Sequence, residues 1–155
     1  MIFRRAVAGD SETVSRLLAQ VLEVHVKIRP DVFVPGSIKY KPEDFAAMFA
    51  DDNAPVYVAE EDGEVLGYAF CRIRVRESGG HMIPGRSLFI DDLCVDEKSR
   101  GRGVGEAIFA FVRDEARRLG CSDITLMVWE GNDPAVSFYR KMGMTPRETV
   151  MEYKL

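Results

Sequence analysis

The stretch Ser87–Gly120, SLFIDDLCVDEKSRGRGVGEAIFAFVRDEARRLG, joins two different apolar periodicities through a glycine-rich hinge. Leu88, Phe89, Ile90, Leu93 and Val95 read as a strand, whereas Val104, Ala107, Ile108, Phe111, Val112 and Leu119 fall on one face of a helix. The helix therefore begins at the glycines. Gly101, Gly103 and Gly105 leave backbone N–H groups uncovered by side chains. The first turn of any helix carries unpaired N–H groups and a partial positive charge, worth about 0.3–1 kcal/mol toward an exposed anion. Arg100 and Arg102 add full charges beside it. A strand, a cradle of backbone donors and a helix in that order suit a pyrophosphate or a nucleotide that carries one.

The spacing narrows the choice of nucleotide. No Lys-Ser or Lys-Thr follows the last glycine, so the P-loop pattern fails for want of a lysine on the terminal phosphates and a hydroxyl on magnesium. The Rossmann fingerprint wants a third glycine where Glu106 stands. What is present is Arg100-x-x-Gly103-x-Gly105, preceded by Leu93-x-Val95. This resembles the acetyl-CoA-binding motif of the GNAT superfamily of N-acetyltransferases. The flanks follow the family's order: Gly120 as a helix C-cap, a β-rich run Ile124–Trp129, the segment Asn132–Tyr139, and Gly143 closing a second short helix. The likeness is specific over Leu88–Gly143 and weaker over Met1–Phe70. Glu97 departs from it, because family members often carry proline in this connection.

With 155 residues, 46% of them hydrophobic, the chain has material for one domain, 1–155, with a real core and none for a second. No apolar run is long enough to span a bilayer and the N-terminus lacks a signal-peptide core, so the expectation is a cytoplasmic protein without a membrane partner. A net charge of −4 argues against nucleic acid and favours a cationic substrate. Cys71, Cys94 and Cys121 are odd in number with no CxxC pair, and read as reduced, buried residues rather than a disulfide framework or zinc site.

Along the chain, the patterns predict a strand over Ile2–Ala6, a helix from Ser11 to about Lys27, and a short helix over Pro42–Ala50. A hairpin of Val56–Glu60 and Val65–Val75 turns at Asp62-Gly63, and a last strand covers Glu148–Lys154. The sum is an α/β (α+β) fold: a mixed, mostly antiparallel sheet with helices on both faces, as the resemblance also implies.

The resemblance implies that Leu93, Cys94 and Val95 pair through their backbone with the pantetheine arm of acetyl-CoA, a cosubstrate. The pyrophosphate falls to Arg100, Gly101, Arg102, Gly103, Val104 and Gly105. It also implies Asn132 as helix cap and cofactor-amide contact, Ala135 at family spacing, and Tyr139 as the acid that protonates the departing thiolate. A phenol with an ordinary pKa near 10 can serve that purpose. A protonated alkylamine acceptor needs a base, and IDDLCV followed by NDPAVSFYRK resembles the diamine acetyltransferases, whose acidic strand residue matches Asp91. Glu130 is the alternative base. Successive strand residues face opposite ways, so only one of Asp91 and Asp92 is expected at the acceptor. His25 falls on the apolar stripe of its helix and reads as a packing residue, His81 lies in the Arg76–Arg86 loop, and Cys94 reads as buried rather than nucleophilic. No metal site is expected.

The functional expectation is direct acetyl transfer to a primary amine, with a small cationic acceptor favoured. A peptide N-terminal or lysine acetyltransferase, and a non-catalytic acyl-CoA-binding module, are the competing readings. The acceptor, small molecule or peptide, is not written in the sequence, and a homodimer is common in the family.

Overall fold

Period-two stretches become strands and period-3.6 stretches become helices in the computed structural model, which describes residues 1–155. In chain order the elements are β1 (Ile2–Arg5), α1 (Ser11–Ile28), α2 (Phe45–Ala50), β2 (Val56–Glu61), β3 (Glu64–Arg76), β4 (Gly85–Val95), α3 (Val104–Arg118), β5 (Asp123–Leu126) and α4 (Asp133–Lys141). The strands form one sheet in sequence order, antiparallel from β1 through β4 and parallel between β4 and β5. The mixed, mostly antiparallel architecture is the one expected.

Strand alternation divides the core between the two faces. Val56, Val58, Tyr68 and Phe70 point toward α1 and α2, where Val14, Leu17, Leu18, Phe45 and Phe49 cover them. Tyr57, Ala59, Ala69, Cys71, Leu88 and Ile90 point the other way, under Val104, Ile108, Phe109, Val112 and Ala116 of α3. Each large side chain so buried contributes about 1.5–3 kcal/mol of transfer free energy, which fixes the three helices on the sheet. Gly67 is what lets the layers close on β4. A Cβ there would sit 2.5 Å from the Cys94 carbonyl oxygen and 2.9 Å from Ile108 Cδ1.

Two irregularities in β4 create the site. Phe70 pairs with Asp92 and Cys71 with Ile90, so Asp91 is the extra residue of a β-bulge. After it the phase of the strand reverses: Ile90 and Leu93 both lie on the α3 face, and Cys94 on the α1 face. Pairing with β5 also stops at Ile90 opposite Leu126. From Asp91 to Val95, then, β4 is paired with β3 alone, and its other edge is open.

Three expectations are corrected. The β-rich run ends at Leu126, not Trp129: pairing with β4 stops at Ile90, and Met127–Trp129 leave the sheet. Glu148–Lys154 forms no strand: Val150, Met151 and Tyr153 are exposed. Ion pairs of Glu152 with Arg29 (2.9 Å) and of Lys154 with Asp31 (2.6 Å) draw this segment to the end of α1 instead. Cys121 is half-exposed, while Cys71 and Cys94 are buried as expected, and all three are free thiols.

Candidate active site

The strand-to-helix loop is rigid at its entry and open at its apex. Asp96 accepts the Lys98 N–H (3.2 Å) and pairs with Arg16 at 2.6 Å, which holds its carboxyl below the usual range. Gln20 Oε1 accepts the Glu97 N–H at 3.1 Å. A proline at position 97 would lack that donor, so the departure from the family pattern is compensated by a hydrogen bond to α1. Gly101 and Gly103 have φ of 76° and 79°, conformations that side-chain-bearing residues adopt only with strain. No atom lies within 4 Å of where either Cβ would be. The N–H groups of Gly101, Arg102 and Gly103 donate to no backbone carbonyl, and those of the first turn of α3 have none within the helix to reach. An anion fits this cradle. The two arginines are already engaged by the protein: Arg100 Nε donates to the Val95 carbonyl (3.1 Å), and Arg102 pairs with Glu61 (2.5 Å). The Arg102 pair is exposed, and such pairs contribute about 0–1 kcal/mol, so it can yield to a phosphate at small cost.

Beside the cradle runs the open edge of β4, which presents the backbone of Leu93, Cys94 and Val95. The Cys94 side chain is turned inward, its Sγ 3.6 Å from the Leu17 carbonyl oxygen, and burial pushes its thiol up to about 12. It is a packing residue with an unreactive thiol. Helix α4 forms the far wall. Asn132 Oδ1 accepts the Ala135 N–H at 3.3 Å and caps it, as expected. A Cβ on Gly105 would meet the Phe138 ring at 3.3 Å, so the start of α3 lies directly against α4. Tyr139 packs on Phe138 and Phe109 with ring centroids 5.1 and 6.4 Å away. Burial, reinforced by the charge of Asp92, raises its phenol well above the ordinary value expected from sequence, so it is protonated at neutral pH but is a weaker acid than a free phenol.

The bulge brings both aspartates of β4 to one cation. Lys39 Nζ lies 2.9 Å from Asp91 Oδ2 and 3.6 Å from Asp92 Oδ2, so the expectation that only one could face this side is overturned by the extra residue. The two carboxyls differ in character. Burial alone would raise Asp91, but the hydrogen bond and charge of Lys39, with the Tyr40 hydroxyl at 3.2 Å, outweigh it and hold the group below its ordinary value. The Asp92 side chain is only 9% exposed against 29% for Asp91. Burial, with the Asp91 charge adding to it, raises Asp92 to about 6 in spite of Lys39. The buried Tyr68 hydroxyl, which has no hydrogen-bond partner at normal geometry, faces the same carboxyl.

The segment between α1 and α2 delivers Lys39. Tyr40 stacks on Phe70 at 5.5 Å, and Phe33 fits between His25 and Trp129 at 5.0 and 5.3 Å. His25 is thus half-buried against Phe33, with burial and the Lys39 charge lowering its pKa. Glu130 and His81 are exposed in loops. No group of three or more His, Cys, Asp or Glu side chains converges as a metal site. A hollow bordered by Arg5, Tyr57 and Arg118 lies by the C-terminal end of α3, away from the glycine cradle at its start.

Residues 19–144 match the Acetyltransferase (GNAT) family. The chain belongs to the GNAT family. It is an acyl-CoA-dependent acetyltransferase with the GNAT fold. The chain is 27% identical to streptothricin acetyltransferase of Streptomyces lavendulae, over 91% of this chain and 79% of that protein. It is 36% identical to the thialysine N-epsilon-acetyltransferase of Sus scrofa, over 38% of this chain and 35% of the relative. A crystal structure of a mutant BH1408 protein from Bacillus halodurans superposes with a TM-score of 0.95 at 33% identity, covering 100% of this chain and 99% of that one. Within this GNAT chain, Lys39, Tyr40 and Tyr68 are residues that sequence reasoning passed over, and Asp92 is one that it weighed and set behind Asp91. Asp92 could have been found by allowing a bulge at the Asp-Asp pair. Lys39 and Tyr40 sit in a non-periodic connection that carries no such signal.

Proposed function

We propose that this GNAT enzyme transfers acetyl from acetyl-CoA by direct attack of a primary amine, and that the acceptor is a small cationic amine. The observation that carries the reading is the carboxylate pair at the β4 bulge with a primary ammonium seated on it, at the start of the open strand edge. The names of relatives acting on streptothricin and thialysine, both amine substrates, support it.

The parts divide the work by their electrostatics. The glycine cradle and first turn of α3 hold the pyrophosphate, and the backbone of Leu93, Cys94 and Val95 holds the pantetheine arm as an added strand. Asp91, ionised across the neutral range, anchors the ammonium. Asp92 is the general base, because a carboxyl near 6 is largely ionised at pH 7 yet retains more affinity for a proton than an ordinary aspartate. A strand N–H near Leu93 faces the developing oxyanion, and Tyr139 donates its proton to the departing thiolate. A panel of diamines, aminoglycosides, free lysine and peptides assayed with acetyl-CoA for thiol release tests the reading. Turnover with small cationic amines supports it; turnover with peptide N-termini alone removes the substrate half.

A further inference from the structure

We propose that Lys39 occupies the acceptor-amine seat from within the chain and is itself acetylated there in cis. The inference rests on the acetyl-transfer reading above and adds a modification site to it. Six lysines occur in the chain, Lys27, Lys39, Lys41, Lys98, Lys141 and Lys154. Three of them pair with carboxylates: Lys141 and Lys154 do so on exposed surface, and only Lys39 reaches the two aspartates of the bulge. Its ammonium is a primary amine on an unbranched alkyl chain, and it lies 2.9 Å from Asp91 and 3.6 Å from Asp92.

What holds Lys39 there is its neighbour in sequence. Tyr40 stacks on Phe70 of β3 and donates its hydroxyl to Asp91 at 3.2 Å, so the backbone at 39 is pinned over the bulge. The pair with Asp91 leaves the lysine side chain 44% exposed, so the ammonium is seated but not sealed in. Such an arrangement is ordered enough to raise the local concentration of nucleophile, and loose enough to turn toward a thioester on the open edge of β4.

The step balances without any further reagent. The Lys39 ammonium gives one proton to Asp92, and the neutral Nζ attacks the thioester carbonyl carbon. The C–S bond breaks as the C–N bond forms, the thiolate takes the Tyr139 proton, and the second Nζ proton restores Tyr139 through solvent. The products are Nε-acetyl-Lys39, free CoA and one proton released. Acetylation removes the positive charge from the seat, leaving Asp91 and Asp92 facing an incoming cation. The modification therefore opens the acceptor site that the lysine had filled.

Full-length protein incubated with acetyl-CoA and no added amine, followed by peptide mass spectrometry, tests this. The expected result is one acetyl group, on Lys39, appearing with a first-order rate that does not change with protein concentration. It should be absent in Lys39→Arg, which keeps the charge, and in Gly103→Glu, which blocks the cradle. A second readout needs no acetyl-CoA: Lys39 should react with an amine-directed acylating reagent at least several-fold more slowly than Lys41, and Asp91→Asn should remove the difference. Acetyl spread over several lysines and unchanged in Gly103→Glu is solution chemistry and overturns the proposal, as does an unmodified Lys39 in protein that turns over small amines. If CoA neither binds nor is released under any condition, the acetyl-transfer reading itself fails, a distinct result.

Discussion

Asp91 and Asp92 are adjacent in a strand, yet both carboxylates lie within 4 Å of the same Lys39 ammonium, because Asp91 is the unpaired residue of a bulge. Adjacent residues in a regular strand would be separated by the sheet. The bulge also coincides with the end of pairing between β4 and β5 at Ile90. The strand edge thus opens at the point where both carboxylates meet one cation.

Asp92→Asn should lower turnover by about 10²–10⁴, the usual cost of losing a general base. In the wild type kcat/KM should fall as pH drops through about 6, where the buried Asp92 takes up its proton, and this limb should vanish in the variant. Stability moves the other way. A carboxyl raised above its unfolded value of 3.8 adds stability that is full below that value and is lost as pH rises through about 6. At pH 7 the fold bears that burial cost, on the order of 3 kcal/mol, so Asp92→Asn should melt no lower than the wild type and its Tm should depend less on pH between 4 and 7.

Asp91→Asn should act on binding more than on chemistry. The Asp91 carboxylate is partly exposed, and exposed ion pairs contribute about 0–1 kcal/mol, so the KM for a small diamine should rise up to about fivefold with kcat little changed. Steady-state kinetics of the two asparagine variants side by side separate anchor from base. A larger kcat loss in Asp91→Asn than in Asp92→Asn would exchange their roles.

Tyr139→Phe retains the ring that packs on Phe138 and Phe109 and removes the proton donor. CoA affinity should persist while the single-turnover rate of acetyl transfer falls by about 10²–10⁴. A normal single-turnover rate excludes Tyr139 from the chemistry.

Gly67→Ala tests how the fold sets the site. Its Cβ would lie 2.5 Å from a main-chain oxygen of β4, which cannot move without shifting the slot. Overpacking of this kind costs about 1–3 kcal/mol, and a lower urea midpoint with unchanged m-value is the expected outcome.

Much of this was legible in the chain because its signals are local. The period change across Gly101–Gly105 marks the cradle, and Asn132 three residues before Ala135 marks the cap of α4. The bulge was not legible, since Ile90-Asp91-Asp92-Leu93 fits a regular strand until the pairing of Phe70 and Cys71 is known. Lys39 was hidden for a similar reason: only the stacking of Tyr40 on Phe70, thirty residues away, brings it to the carboxylates. The expected last strand failed because alternation in Glu148–Lys154 competes with ion pairs to Arg29 and Asp31 that no local pattern reveals.

Thermal shift provides the simplest check on the cosubstrate. CoA at about 100 times its dissociation constant should stabilise the protein by about 2.7 kcal/mol, and Gly103→Glu should abolish the shift. An equal shift from NAD or ATP in place of CoA would point to another nucleotide.

The most direct measurement is backbone hydrogen exchange with and without CoA, read at single-residue resolution. New protection is expected at Leu93 and Val95, whose N–H groups alternate away from β3 toward the open edge, and at Gly101–Gly105 in the cradle, with little change at Arg5, Tyr57 and Arg118 around the hollow near the other end of α3. Protection at that hollow, with the β4 edge and glycine loop exchanging as before, would contradict this account.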